Sequence, residues 1–257
     1  MKLEAVKEHI VDWLSQYLEQ TPLKGFIVGV SGGVDSALTA HLCAMTGNPV
    51  MLLNMPIRQK ADEFERSRLQ IIDLKKRFSN VSDYEIDLGD TFKKLENTLP
   101  KETVQDGLAM ANTRARLRML TLYAIGQANL CLVAGTGNKV EDFGVGFFTK
   151  YGDGGVDISP IADLMKTEVY ALAKHVGVIP QILNAPPTDG LWDDARVDED
   201  QIGASYAELE WAMLFKGDEN ALSNRQKEVL AIYNKFHTAN KHKMIPIPVC
   251  LVPEGLK

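Results

Sequence analysis

The chain has 257 residues, 45% of them apolar, and a formal charge of −6. That length suits one large α/β domain, or at most two small ones, with ample material for a core. The acidic balance argues against a general nucleic-acid binder, but a few cations gathered in one cleft could still hold an anionic substrate.

The N-terminal stretch MKLEAVKEHIVDWLSQYL sets Leu3, Val6, Ile10, Leu14 and Leu18 at helical spacing and carries acids, unlike a secretion signal. A helix is predicted over residues 3–20. GFIVGVS (25–31) reads as a short buried strand bounded by glycine, followed by a helix over 35–45. VMLLNMP (50–56) is a second buried strand stopped by Pro56, a charge-rich helix follows over 60–78, and DYEIDL (83–88) is a third strand. Residues 103–128 read as one long helix, and LCLVAGTG (130–137) as a fourth strand ending in glycines. Residues 138–160 are glycine-rich and irregular, and helices are predicted over 163–176, 203–215 and 223–240.

Strands alternating with helices predict an α/β fold, a doubly wound parallel sheet flanked by helices, in a single domain over 1–257. No apolar run reaches membrane-spanning length. Cys43, Cys131 and Cys250 are odd in number and far apart, without a CxxC pair. Each reads most simply as a small buried hydrophobe in a reducing compartment. The expectation is a soluble cytoplasmic protein without membrane or nucleic-acid partners.

GVSGGVDSAL (29–38) lies at the tip of the first strand and leads into a helix. Ligands of open parallel sheets bind beyond the carboxyl ends of the strands, and a helix N-terminus attracts anions. Gly32 and Gly33 would let the backbone approach a phosphate, and Ser31 and Ser36 can donate hydroxyls. Asp35 would repel a phosphate directly, so its useful role is to hold a cation such as Mg²⁺ that bridges phosphates. Two glycines alone would read as a tight turn with a capped helix; all six residues at a strand–helix junction point to phosphate. The Walker pattern GxxxxGK[ST] is absent.

SGGVDS resembles the pyrophosphate loop of the N-type ATP pyrophosphatases, which cleave ATP between its α and β phosphates. GTGNKVED (135–142) and TKYGDGGVDISPIADLMKTEVYALAKHVGVI (149–179) are similar to the ammonia-dependent NAD synthetases of that family, as are NTRARLRM (112–119), DEDQIGASY (198–206) and HKMIPIP (242–248). The resemblance covers essentially the whole chain. It implies a Rossmann-like, adenine nucleotide alpha-hydrolase-like fold, a homodimer, and adenylation of the deamido-NAD carboxylate followed by amidation. An added glutaminase domain has no room in 257 residues, so ammonia is the expected nitrogen donor.

The resemblance assigns Gly29, Val30, Ser31, Gly32, Gly33, Val34, Asp35 and Ser36, with Thr136, Lys166 and Thr188, to ATP, and makes Asp35 and Lys166 catalytic. Asp35 and Glu141 become metal ligands for Mg²⁺. Arg116, Lys150, Asp157, His242 and Lys243 fall to deamido-NAD. Without the resemblance, Glu141 reads equally as a solvated helix-start acid, Lys166 as an exposed helix lysine, and His242 and Lys243 as ordinary cations at a helix C-terminus. Arg114 and Arg118 read as structural ion pairs, because residues 114, 116 and 118 cannot share one helix face.

The acids of WDDARVDED read as an exposed loop with helix caps, and His9, His41, His175 and His237 receive no catalytic role. Between Pro187 and Asp198 the sequence departs from the family, with Ala195 and Arg196 where a glycine and a glutamine are usual. Two alternatives remain open at this point: another amidating or thiolating pyrophosphatase, and an ATP-binding sensor that has lost turnover.

Overall fold

A computed structural model describes residues 1–185 and 198–257 of the chain. Four parallel strands, β1 (Gly25–Gly29), β2 (Val50–Asn54), β3 (Val81–Glu85) and β4 (Cys131–Val133), form one sheet in the order β3-β2-β1-β4. Phe26 is in register with Val50 on one side and Leu132 on the other. The chain order reverses at β1, between β2 and β4, which makes the carboxyl ends of β1 and β4 the switch point where such sheets open a crevice.

Eleven α-helices stand among the described residues, and the longer ones fall where the apolar spacing predicts them. They are α1 (Leu3–Glu19), α2 (Val34–Met45), α3 (Ala61–Arg77), α4 (Gly89–Thr98), α5 (Lys101–Gln105), α6 (Gly107–Ala128), α7 (Lys166–Val176), α8 (Pro180–Leu183), α9 (Asp198–Ile202), α10 (Tyr206–Leu214) and α11 (Asn224–Met244). Strand residues alternate between two cores. Phe26, Val28, Leu52 and Leu132 pack with α1, α2 and α7, whereas Ile27, Leu53 and Val133 face Phe92 of α4 and Met119 and Leu122 of α6. A third cluster joins Tyr206 and Leu209 of α10, Val229 and Leu230 of α11, and Val140 and Val145.

Several elements differ from the sequence-based expectation. The third strand lies at 81–85 rather than 83–88, because Pro56 ends its partner strand; Ile86 and Leu88 still donate to Asn54 O and Pro56 O at 2.8 and 3.0 Å. The single helix expected over 103–128 is broken at Asp106, whose carboxylate accepts from Ala109 N and caps α6. Helix α4 is absent from the expected elements: Phe92 is its one buried side chain. Within the irregular stretch 138–160, residues Val140–Val145 form a single π-helical turn closed by Gly146 at φ 64°.

Cys43 and Cys131 are buried as expected, and burial raises both thiols, but Cys250 is exposed in the C-terminal tail. Deep in α2, His41 is fully buried; its Nε2 lies 2.9 Å from Arg77 NH1 and its Nδ1 2.9 Å from Ala37 O. A guanidinium only donates, so Nε2 carries the lone pair, Nδ1 carries the hydrogen, and the ring is neutral. Arg77 also donates to Val176 O and Gly177 O, which ties α3 to the end of α7. Among the described residues no helix is long and apolar enough to cross a membrane.

Candidate active site

The loop Ser31–Ser36 runs from the end of β1 into α2 and is held in shape by its own hydroxyls. Ser36 Oγ donates to Gly33 O at 3.0 Å and receives Ser31 N at 3.2 Å, while Ser31 Oγ receives Gly33 N at 3.2 Å. Gly32 has φ +89°, and a Cβ there would stand 2.6 Å from Glu63 O on α3. Glycine is therefore required at 32 by both backbone conformation and close approach. At Gly33, the N-cap of α2, no side chain caps the helix, so its first-turn N–H groups remain for an anion.

Asp35, in the first turn of α2, meets Lys166, the first residue of α7. Lys166 Nζ donates to Asp35 Oδ2 at 2.7 Å and to Glu141 Oε1 at 2.8 Å. Asn138, fully buried, links the Asp35 carboxylate to the backbone that carries Glu141: its Nδ2 donates to Asp35 Oδ1 at 3.0 Å, and its Oδ1 receives Val140 N and Glu141 N. Tyr206 OH donates to Glu141 Oε1 at 2.6 Å, and its ring lies under the Lys166 ammonium.

Burial sets the electrostatics of this group. It raises the Asp35 carboxyl, against the pull of Lys166, and the charge of Glu141 adds to the rise. Burial works the same way on Glu141, but the Lys166 ammonium and the Lys166 and Tyr206 hydrogen bonds bring it below the usual range. Burial alone would discharge Lys166; Asp35 and Glu141 instead hold its pKa above the ordinary lysine value. Next door, burial and then the charges of Glu141, Asp153 and Asp35 push Asp142 up to about 8. Its carboxylate rests against Gly137, where a Cβ would fall 1.9 Å from Oδ2.

Asp35, Glu141, Asp142 and Lys166 border a cavity of about 680 Å³ that also takes in Thr136, Arg116, Lys150, His242 and Lys243. Segment 148–150 is laced to the end of α11: Lys150 Nζ donates to His242 O at 2.8 Å and Lys243 Nζ to Phe148 O at 2.7 Å. Arg116 reaches Lys150 O from α6 at 3.3 Å. Asp157 stands apart from the cavity lining, with one oxygen receiving Val133 N at 2.8 Å and the other Tyr123 OH at 3.0 Å. Thr188 and the atypical segment 188–197 lie outside the described residues.

The residue-only reading of Lys166 as an exposed helix lysine is overturned, since the residue is 4% exposed. Arg118, expected from the sequence to form an ion pair, donates its Nε to a carbonyl, Met55 O, at 3.1 Å. Arg114 packs over the Phe92 ring. Asn138 and Tyr206 received no role from the sequence, although both stand inside quoted motifs. A polar residue just past a strand end is the signal for Asn138; nothing local marks Tyr206.

Comparison with known proteins agrees with this geometry. The family model described as NAD synthase matches residues 6–245. The NH(3)-dependent NAD(+) synthetase of Finegoldia magna is 38% identical over 92% of this chain and 91% of its own length. That of Syntrophomonas wolfei is 36% identical, with both chains covered in full. Among solved structures, an NMN synthetase from Francisella tularensis superposes with a TM-score of 0.86 at 30% identity, covering 99% of each chain. An NH3-dependent NAD synthetase from Campylobacter jejuni gives 0.78 at 26% identity, over 98% of this chain and all of its own. With a matched model spanning nearly the whole sequence and relatives this similar, the chain belongs to the NAD synthase family.

Proposed function

We propose that this chain is an ammonia-dependent NAD synthetase, a carbon–nitrogen ligase driven by ATP. The observation that carries the reading is the Lys166 ammonium held between Asp35 and Glu141, beside an uncapped helix N-terminus at the switch point of the sheet. In the first step a carboxylate oxygen of deamido-NAD attacks the α-phosphorus of ATP. The bond to the β-phosphate breaks, pyrophosphate leaves with the electron pair, and a mixed anhydride with AMP remains. In the second step the ammonia nitrogen attacks the carbonyl carbon, the bond to AMP breaks, and the nitrogen loses a proton to give NAD.

The protein supplies position and charge. The loop N–H groups and the Ser31 and Ser36 hydroxyls cradle phosphate, with Gly29, Val30, Val34 and Thr136 against the nucleotide and Thr188 assigned with them. The donor set fits Mg²⁺: Asp35 and Glu141 offer hard oxygens that already converge on one cation, the Lys166 ammonium, and Mg²⁺ commonly takes one or two carboxylates with phosphate and water. When bound, it neutralises charge on the phosphates. Arg116, Lys150, His242 and Lys243 are the groups we assign to the acceptor, with Asp157 behind them. We place the reaction in one cytoplasmic domain, working as a homodimer; exposed Leu108, Leu120 and Tyr123 make α6 the candidate pairing face.

A second reading keeps this chemistry and shortens the acceptor to nicotinate mononucleotide. The similarity to the Francisella NMN synthetase, over 99% of both chains, favours it. One experiment tests both: pyrophosphate release from ATP and Mg²⁺ is followed with each acceptor, with and without ammonium, while the dinucleotide or mononucleotide product is assayed. Pyrophosphate and NAD appearing together only with deamido-NAD supports the first reading. Preference for the mononucleotide replaces it with the second, and ATP bound but never cleaved removes both.

A further inference from the structure

Among the described residues, the loop 31–36 is bonded to two cationic side chains. One is Lys166, already shared by Asp35 and Glu141, so that this group of three carries one positive and two negative charges. The other is Arg66 of α3, whose Nε lies 3.4 Å from Gly32 O. Its stem rises where α3 presses on the loop: a Cβ on Gly32 would come 3.4 Å from Arg66 Cβ. The Arg66 side chain borders the cavity and is 17% exposed. NH1 donates to Asp62 Oδ2 at 2.9 Å, and NH2 has no hydrogen bond among the described residues. The cations Arg116, Lys150 and Lys243 are occupied elsewhere, on carbonyls of residues 148–150 and 242.

We propose that Arg66 is a phosphate-binding residue that grips the β- and γ-phosphates of ATP and follows them as leaving pyrophosphate. The proposal rests on the ATP-cleaving reading above. A guanidinium offers two parallel donors to a phosphate and stays charged at any working pH. Asp62 holds Arg66 in readiness without competing strongly, because its carboxylate is 69% exposed and a solvated pair of this kind is readily exchanged for a polyanion.

The test uses inorganic pyrophosphate with Mg²⁺ and, separately, AMP as calorimetric probes of the full chain. AMP addresses the adenosine and α-phosphate half of the site and pyrophosphate the leaving half. Arg66→Ala is expected to weaken pyrophosphate binding about tenfold or more, the worth of one hydrogen bond between charged groups, and to leave AMP binding within about twofold. Arg66→Lys should recover part of the loss, and Asp62→Asn should bind pyrophosphate at least as well as the unaltered chain. Equal weakening of both probes by Arg66→Ala, with no recovery in Arg66→Lys, would show a distorted loop and overturn the proposal. So would unchanged pyrophosphate binding in Arg66→Ala. A chain that binds pyrophosphate through Arg66 yet amidates neither acceptor would keep this inference and remove the NAD synthetase reading.

Discussion

Asp35 and Lys166 stand 131 positions apart in the chain and 2.7 Å apart in space. Each occupies the first turn of its helix, and α2 and α7 pack side by side, so the two helix starts deliver opposite charges to one point. Removing the ammonium would leave Asp35 and Glu141 facing each other with little water. Lys166→Met is therefore expected to abolish pyrophosphate release and to lower the unfolding free energy by about 3 kcal/mol. Urea unfolding read beside activity checks both parts. An inactive variant of unchanged stability would mean that water or a metal ion replaces the ammonium.

The two loop glycines should respond differently. Gly32→Ala meets a left-handed backbone and a carbonyl 2.6 Å from its new Cβ. Strain of about 1–2 kcal/mol and displacement of α3 should follow, with ATP binding lost. Gly33 has φ −95°, and its nearest neighbour is Ser31 Oγ at 3.4 Å, so Gly33→Ala should fold normally. Thermal unfolding and ATP titration of the pair measure the contrast.

His41 predicts a pH dependence of stability. Burial lowers its pKa from 6.5 to about 4. The unfolded chain therefore takes up a proton near pH 6.5 while the native chain does not. Stability is full above that pH and is lost as pH falls towards 4, by about 3 kcal/mol in all. Unfolding free energies measured from pH 7.5 to 4.5 should fall less steeply in His41→Gln than in the unaltered chain.

Asp157 and Arg116 separate a structural contribution from an acceptor contribution. Asp157→Ala strands Val133 N at the end of β4 and should cost about 1–3 kcal/mol in urea unfolding. Arg116, exposed on α6 and, among the described residues, bonded to a carbonyl, can be changed to Ala with little loss of stability. Its effect should appear as a raised KM for the acceptor, with the KM for ATP unchanged.

The phosphate loop and the parallel sheet were legible in the sequence because each is local. An apolar run of five to seven residues, a glycine pair and a helix start occupy adjacent positions, and their periodicity is visible without any tertiary contact. Lys166 was legible only by resemblance, since a lysine at a helix start has no local mark of burial; what buries it are two carboxylates at distant positions. Tyr206 illustrates the same limit: its hydroxyl matters because α10 packs against the π-helical turn that carries Glu141. The break at Asp106 was missed for the opposite reason. A short polar side chain can cap a new helix as readily as continue an old one, and the choice depends on which apolar residues find the core.

The long separation between the two ends of the Asp35–Lys166 pair has a consequence for the order in which the molecule is made. The loop can take shape early in synthesis, once β1 and α2 exist. Its ammonium partner arrives only after β4 has inserted beside β1 and α7 has docked on α2, a set of contacts between distant parts of the chain that form late. A nascent or prematurely ended chain thus carries the phosphate cradle without the group that balances its acids. The capacity to spend ATP therefore waits on α7, and α11, which brings His242 and Lys243 to the acceptor side, follows later still in the chain.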